Sequence, residues 1–239
     1  MTGLPSLFFD LDGTLVDSLP GICRSINDAL VQVGRVPVAE STARAFVGRP
    51  LASIFATLLG SSEPDLLERV VALYRDRFDR EGMADGRLFP GVEGMLRTLA
   101  AEGYPLRIVT AKPSAIARQV LTCFGIGGYF ADVHGPTLAD RSVDKAHQVL
   151  AALDASGTPA ARALMIGDRA DDVLAARAHG VRAVAAAWGY GSRVELEAAE
   201  PFYVADTAAQ LLVWVQSAGR SRERELHGPG IEQPQEERS

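Results

Sequence analysis

The chain has 239 residues, 47% of them hydrophobic, and a formal net charge of −6. That length suits one large α/β domain or a core with a smaller companion, and the apolar share is enough for a sizeable interior. The negative balance argues against a broad attraction to nucleic acid, and no uninterrupted apolar run approaches the ~18 residues of a membrane span.

Ser6 to Asp10 (SLFFD) reads as a short buried strand ending in the polar turn Leu11-Asp12-Gly13-Thr14. An alternating α/β chain should continue with one helix and a second strand. Here the next strand pattern is Leu106 to Thr110 (LRIVT). The residues between read as helices. Ile22, Ile26, Ala29, Leu30 and Val33 recur at helical spacing in Gly21 to Val33, and the pattern repeats over Leu66 to Phe78. Ser62 with Asp65 predicts a capping box for the second of these. Residues 17–86 are therefore expected to form an inserted helical cap, with 1–16 and 87–216 as the core.

Beyond Gly86 the α/β rhythm resumes. Helices are expected over Val92 to Glu102, Pro113 to Phe124, Asp144 to Leu153, Asp171 to His179 and Ala208 to Val215. Strands are expected over Ala131 to His134, Arg162 to Ile166, Val181 to Ala185 and Phe202 to Val204. This is the pattern of a doubly wound, mostly parallel sheet. Residues 217–239 are charged, with Gly, Pro and Gln, and are expected to form a disordered tail. Cys23 and Cys123 stand far apart, as neither a metal pair nor a disulfide framework. Met1 to Leu7 has no basic region leading into a long apolar run, so the expected compartment is the reducing cytoplasm.

Ligands of open α/β sheets bind beyond the carboxyl ends of the strands. Those ends carry Asp10, Asp12, Gly13 and Thr14 after the first strand, then Thr110, Ala111 and Lys112, and later Asp168, Asp171 and Asp172. Clustered carboxylates repel unless a cation joins them, and an oxygen-only donor set favours Mg²⁺. A magnesium site beside a hydroxyl and a lysine points to phosphate. Of the 24 basic residues only Lys112 and Lys145 are lysines, so each is a candidate phosphate partner. Gly13 and Thr14 are candidate backbone donors to phosphate. A carboxylate such as Asp10 can attack phosphorus, and a second acid two residues on can protonate the leaving oxygen and then activate water. His134, His147 and His179 have no partner spacing. Trp188, Gly189 and Tyr190 read as ordinary packing beside a strand end.

FDLDGTLVDS at 9–18, IVTAKP at 108–113, the lysine at 145 and IGDRADD at 166–172 resemble the haloacid dehalogenase-like hydrolase superfamily. The resemblance spans residues 6 to 215, with an insertion where that family places a helical cap. LVDS, VGRPL at 47–51, LFPGV at 88–92 and DRSVDKAHQVL at 140–150 resemble its phosphoglycolate phosphatase-like branch. The resemblance implies Asp10 as nucleophile and Asp12 as general acid/base. It implies Mg²⁺ on the Asp10 carboxylate, the Asp12 carbonyl and Asp168, with Asp172 acting through water. Thr110 and Lys145 would grip the phosphate, and Arg49 in the cap could reach a second anionic group. Ala111 departs mildly from the family, where a small polar residue is common. The expected activity is a magnesium-dependent phosphatase of a small phosphorylated metabolite, monomeric or homodimeric. A phosphosugar mutase would share the core residues, and a catalytically silent binding protein would share the fold. A dehalogenase would not need Asp12, and a phosphonatase would need a cap lysine that residues 17–86 lack. A receiver domain would be about half this length.

Overall fold

The computed structural model describes residues 4–140 and 144–226. Six parallel strands form one sheet: β1 (Ser6–Phe9), β4 (Leu106–Val109), β5 (Asp132–His134), β6 (Ala163–Gly167), β7 (Arg182–Ala186) and β8 (Tyr203–Ala205). Their spatial order is β5-β4-β1-β6-β7-β8. Every residue of β1 is buried, and its register pairs Phe9 with Ile108 on one side and Ile166 on the other. Alternate residues feed two apolar layers, as the period of two requires. Leu7 and Phe9 join Ile108 and Ile166 beneath α5 (Val92–Ala101), α6 (Ser114–Cys123) and α10 (Ala208–Leu226). Phe8 joins Val109 and Met165 beneath α7 (Lys145–Ser156) and α8 (Ala170–Ala178). Helices thus cover both faces, which is why β1 reads as a continuous apolar run. The chain runs outward from β1 through β4 to β5, then crosses back to β6. The carboxyl ends of β4, β1 and β6 therefore lie side by side at the switch point where such sheets bind ligands.

Between β1 and β4 the chain forms α1 (Leu19–Gln32), α2 (Glu40–Arg44), α3 (Leu51–Leu59), α4 (Pro64–Arg77) and one π-helical turn, Phe78–Gly82. A short ribbon brackets them. β2 (Val16–Asp17) pairs antiparallel with β3 (Arg87–Leu88). The ribbon was not expected, because two residues per strand are too few to show a period. At α4 the capping expectation is corrected. Pro64 takes the first turn, so the cap falls on Glu63, whose carboxylate accepts from Leu66 N at 3.1 Å. The tail is corrected as well, since α10 continues through residue 226. Arg, Glu and Leu in this stretch are good helix formers. The rest of the expected tail, 227–239, lies outside the described residues, as do 141–143 within the DRSVDKAHQVL segment. Among the described residues, no helix is long and apolar enough to cross a membrane.

Candidate active site

Asp10 follows directly on β1, and its N–H continues the ladder to Ile166 O at 2.9 Å. Its carboxylate is buried. Lys145 is the first residue of α7, where Asp144 caps the helix by accepting from Ala146 N at 2.9 Å. That start sends the Lys145 ammonium to Asp10 Oδ1, 2.9 Å away, and to Asp172 Oδ1. Asp172 is in the first turn of α8, fully buried, and its other oxygen accepts from Arg169 N at 3.0 Å. Asp168, just beyond β6, is also fully buried. Its carboxylate accepts from Thr14 Oγ1 at 3.1 Å and Tyr190 N at 2.7 Å. Carboxylate oxygens of Asp10, Asp168 and Asp172 all lie within 4.8 Å of one another.

Two glycines make this crowding feasible. Gly13 has φ +93°, and a Cβ there would stand 2.2 Å from Asp168 Oδ2. A Cβ on Gly189 would stand 2.3 Å from Asp168 Cβ. Any side chain at either position would displace the acid.

The electrostatics report the same crowding. Burial, then the charges of Asp10 and Asp172, push the Asp168 carboxyl up to about 8 against the pull of Tyr190 N–H and Lys145. Burial raises Asp10 to about 6, offset in part by Lys145 and reinforced by Asp172 and Asp12. Burial alone would lower Lys145, but Asp10 and Asp172 outweigh it and hold the ammonium above its ordinary range. Fully ionised, the three acids and one lysine would carry two net negative charges. An oxygen-only donor set with that charge fits a divalent hard cation.

Asp12 stands apart from this cluster. Its oxygens take Ser18 Oγ at 2.5 Å and Lys112 Nζ at 2.8 Å. Lys112 was expected beside the phosphate. It is instead largely buried, between Asp12 and the Phe78 ring 4.8 Å from its nitrogen. Thr110 is buried beyond β4, with its Oγ1 accepting from Lys112 N at 3.2 Å. Asp12, Ala111 and Lys112 border a cavity of about 780 Å³. Its opposite wall comes from the helical segment, with Phe46, Ile54, Leu67, Val71 and Tyr74, and Arg49 and Arg75. Arg49 is exposed and stacks on Phe46 at 5.6 Å.

Gly13 and Thr14 do not stand as free phosphate donors. Gly13 N–H donates to Val16 O, Thr14 N–H to Leu11 O, and the Thr14 hydroxyl to Asp168. They shape the acid site from behind. Asp171 is exposed, as expected of a solvated helix residue. His134 does have a partner, since its Nε2 lies 2.8 Å from Asp132 Oδ1. The larger omission is the loop after β7. Trp188 Nε1 donates to Thr14 O at 2.9 Å, Tyr190 N–H holds the Asp168 carboxylate, and Gly191 N–H reaches Asp168 O. Its position just past a strand end was the available signal. Ser18 sat inside the LVDS motif, but nothing in the sequence shows that its oxygen faces Asp12.

The family described as haloacid dehalogenase-like hydrolase matches residues 7–186. The chain belongs to that family. A 5'-nucleotidase from Pseudomonas aeruginosa is 36% identical, over 86% of this chain and 93% of its own length. A phosphoglycolate phosphatase from Vibrio vulnificus is 34% identical, over 85% and 92%. The crystal structure of a predicted phosphatase from Clostridium acetobutylicum superposes with a TM-score of 0.82 at 29% identity, covering 90% of this chain and all of that one. This haloacid dehalogenase-like hydrolase is thus similar along most of its length to phosphatases of the family, in fold as in sequence.

Proposed function

We propose that this chain is a magnesium-dependent phosphatase that hydrolyses a small phosphomonoester through an aspartyl phosphate on Asp10. One observation carries the reading: three buried acids, Asp10, Asp168 and Asp172, converge at one sheet edge with a single lysine among them. Such a cluster is costly to bury without a cation. Mg²⁺ would be held by Asp10, Asp168 and the Asp12 carbonyl, with Asp172 through water, and when bound it neutralises charge on the phosphoryl oxygens.

The chain's own groups have distinct tasks. Asp10 attacks phosphorus in line, and the bond to the leaving oxygen breaks as Asp12 gives that oxygen a proton. Asp12 then takes a proton from water, which attacks the phosphoryl group on Asp10 and releases phosphate. Lys145 holds Asp10 and shares the phosphate charge with the Thr110 hydroxyl. Ser18 and Lys112 aim the Asp12 carboxyl group. In this reading residues 17–86 are the cap and 1–16 with 87–216 the core. The enzyme works in the cytoplasm as a monomer or homodimer.

The cavity favours one reading of the substrate. Its volume of about 780 Å³ and mostly apolar walls exceed what phosphoglycolate fills. A phosphomonoester with a planar or apolar body, such as a nucleoside monophosphate, uses the walls as well as the two arginines. Turnover of p-nitrophenyl phosphate with Mg²⁺, abolished in Asp10→Asn, tests the chemistry. Equal rates for variant and parent remove Asp10 from it. Comparing AMP with phosphoglycolate tests the substrate, and a higher kcat/KM for phosphoglycolate sinks the nucleotide reading.

A further inference from the structure

The first turn of α1 is capped in an unusual way. Ser18 is its N-cap residue, yet its oxygen is not used on the helix, because its hydroxyl donates to Asp12. Pro20 has no N–H. The first donor of the helix, Leu19 N–H, is taken by the Tyr190 hydroxyl at 2.9 Å, 171 positions away in the chain. The same hydroxyl donates to Asp17 Oδ1 at 3.1 Å, and Asp17 pairs with Arg87 across the β2–β3 ribbon at 3.0 Å. The Tyr190 ring lies 6.2 Å from Phe89, just past β3, and beneath the guanidinium of Arg44 on α2 at 5.4 Å. Its backbone N–H meanwhile holds the Asp168 carboxylate. One residue therefore touches β2, the residue just past β3, the starting turn of α1 and a fully buried acid of the site.

We propose that the Tyr190 hydroxyl is a latch. It pins the first turn of α1, and with it the stance of the helical segment over the cavity, to the loop that holds Asp168. Tyr190 is on this view a positioning residue, acting through Asp17 and Leu19 without touching substrate. A hydroxyl with one acceptor and one donor, both satisfied and both on the ribbon side, fixes a direction as well as a distance. The phosphatase reading is needed only for the turnover arm of the test.

Tyr190→Phe removes the hydroxyl and keeps the ring, the Arg44 contact and the backbone N–H. In metal-free protein, hydrogen exchange at the Leu19 amide should quicken about tenfold. In turnover with Mg²⁺, KM for p-nitrophenyl phosphate should rise about tenfold, while kcat falls by less. For acetyl phosphate, too small to reach the helices, KM should rise at least threefold less than for the aryl ester. Unchanged Leu19 exchange, or equal KM shifts for the two substrates, overturns the latch. If the parent enzyme hydrolyses neither substrate, the phosphatase reading fails and the exchange measurement still decides the latch. If Tyr190→Phe does not fold, Asp17→Ala leaves the tyrosine in place and removes the acceptor that aims it. Faster Leu19 exchange in Asp17→Ala supports the latch, and parental exchange rejects it.

Discussion

At the carboxyl ends of β1 and β6 the charged groups are buried and mutually committed. Lys145 pairs with Asp10 and Asp172, carboxylate oxygens of Asp10, Asp168 and Asp172 lie within 4.8 Å of one another, glycines clear space for Asp168, and backbone N–H groups aim Asp168 and Asp172. On the facing wall, Arg49 and Arg75 are exposed and the rest of the lining is chiefly apolar side chains of α3 and α4. The first region is arranged around one charge distribution, and the second offers surface and volume. On the proposed function, a change in the first would cost the reaction itself and a change in the second would redirect which molecule is accepted.

The sharpest way to break this contrast is Lys145→Ala. It strands three buried acids without their lysine, and destabilisation of about 3–5 kcal/mol is expected in metal-free protein, measured by denaturant unfolding. The rate should fall ~10²–10³-fold in Mg²⁺. A fall below tenfold would mean that Lys145 is structural.

Metal-free protein should also report the crowding through pH. Asp10 and Asp168 have folded-state pKa values of about 6 and about 8, above the ordinary 3.8. The folded state therefore binds more protons than the unfolded one between these values. The stability is greatest at low pH and is lost as pH rises through about 4 to 8. Thermal melts from pH 5 to 8 should show Tm falling by several degrees without metal and a much flatter profile with Mg²⁺. A Tm that rises over that range contradicts the burial of these acids.

Smaller effects sharpen the comparison. Lys112→Ala frees one Asp12 oxygen, and kcat should drop about tenfold with KM nearly constant in steady-state assays. On the facing wall, Arg49→Ala should raise KM a few-fold, and only for esters that carry a second anionic group. A uniform change across substrates would move Arg49 from selection to folding.

The division also explains what could be read from the sequence. Asp10, Thr110 and Asp168 were legible because each follows a short apolar strand, and the end of a parallel strand is a fixed address. Lys145 was legible through its scarcity and through the resemblance. The contacts of the Tyr190 hydroxyl were not, since they join residues more than 170 positions apart and depend on a hydroxyl direction no local pattern encodes. Lys112 gave its identity but not its partner, because Asp12 and Phe78 approach it from distant elements. The continuation of α10 was missed because a charged, polar composition suits a helix as well as a disordered chain.

The β2–β3 ribbon has a practical consequence. Val16 stands opposite Leu88 and Asp17 opposite Arg87, so the chain leaves the sheet and rejoins it within one interstrand spacing, ~4.8 Å. A short linker joining the two feet in place of residues 18–86 would span that gap without displacing the strands of the six-stranded platform, which makes the helical segment removable as a unit.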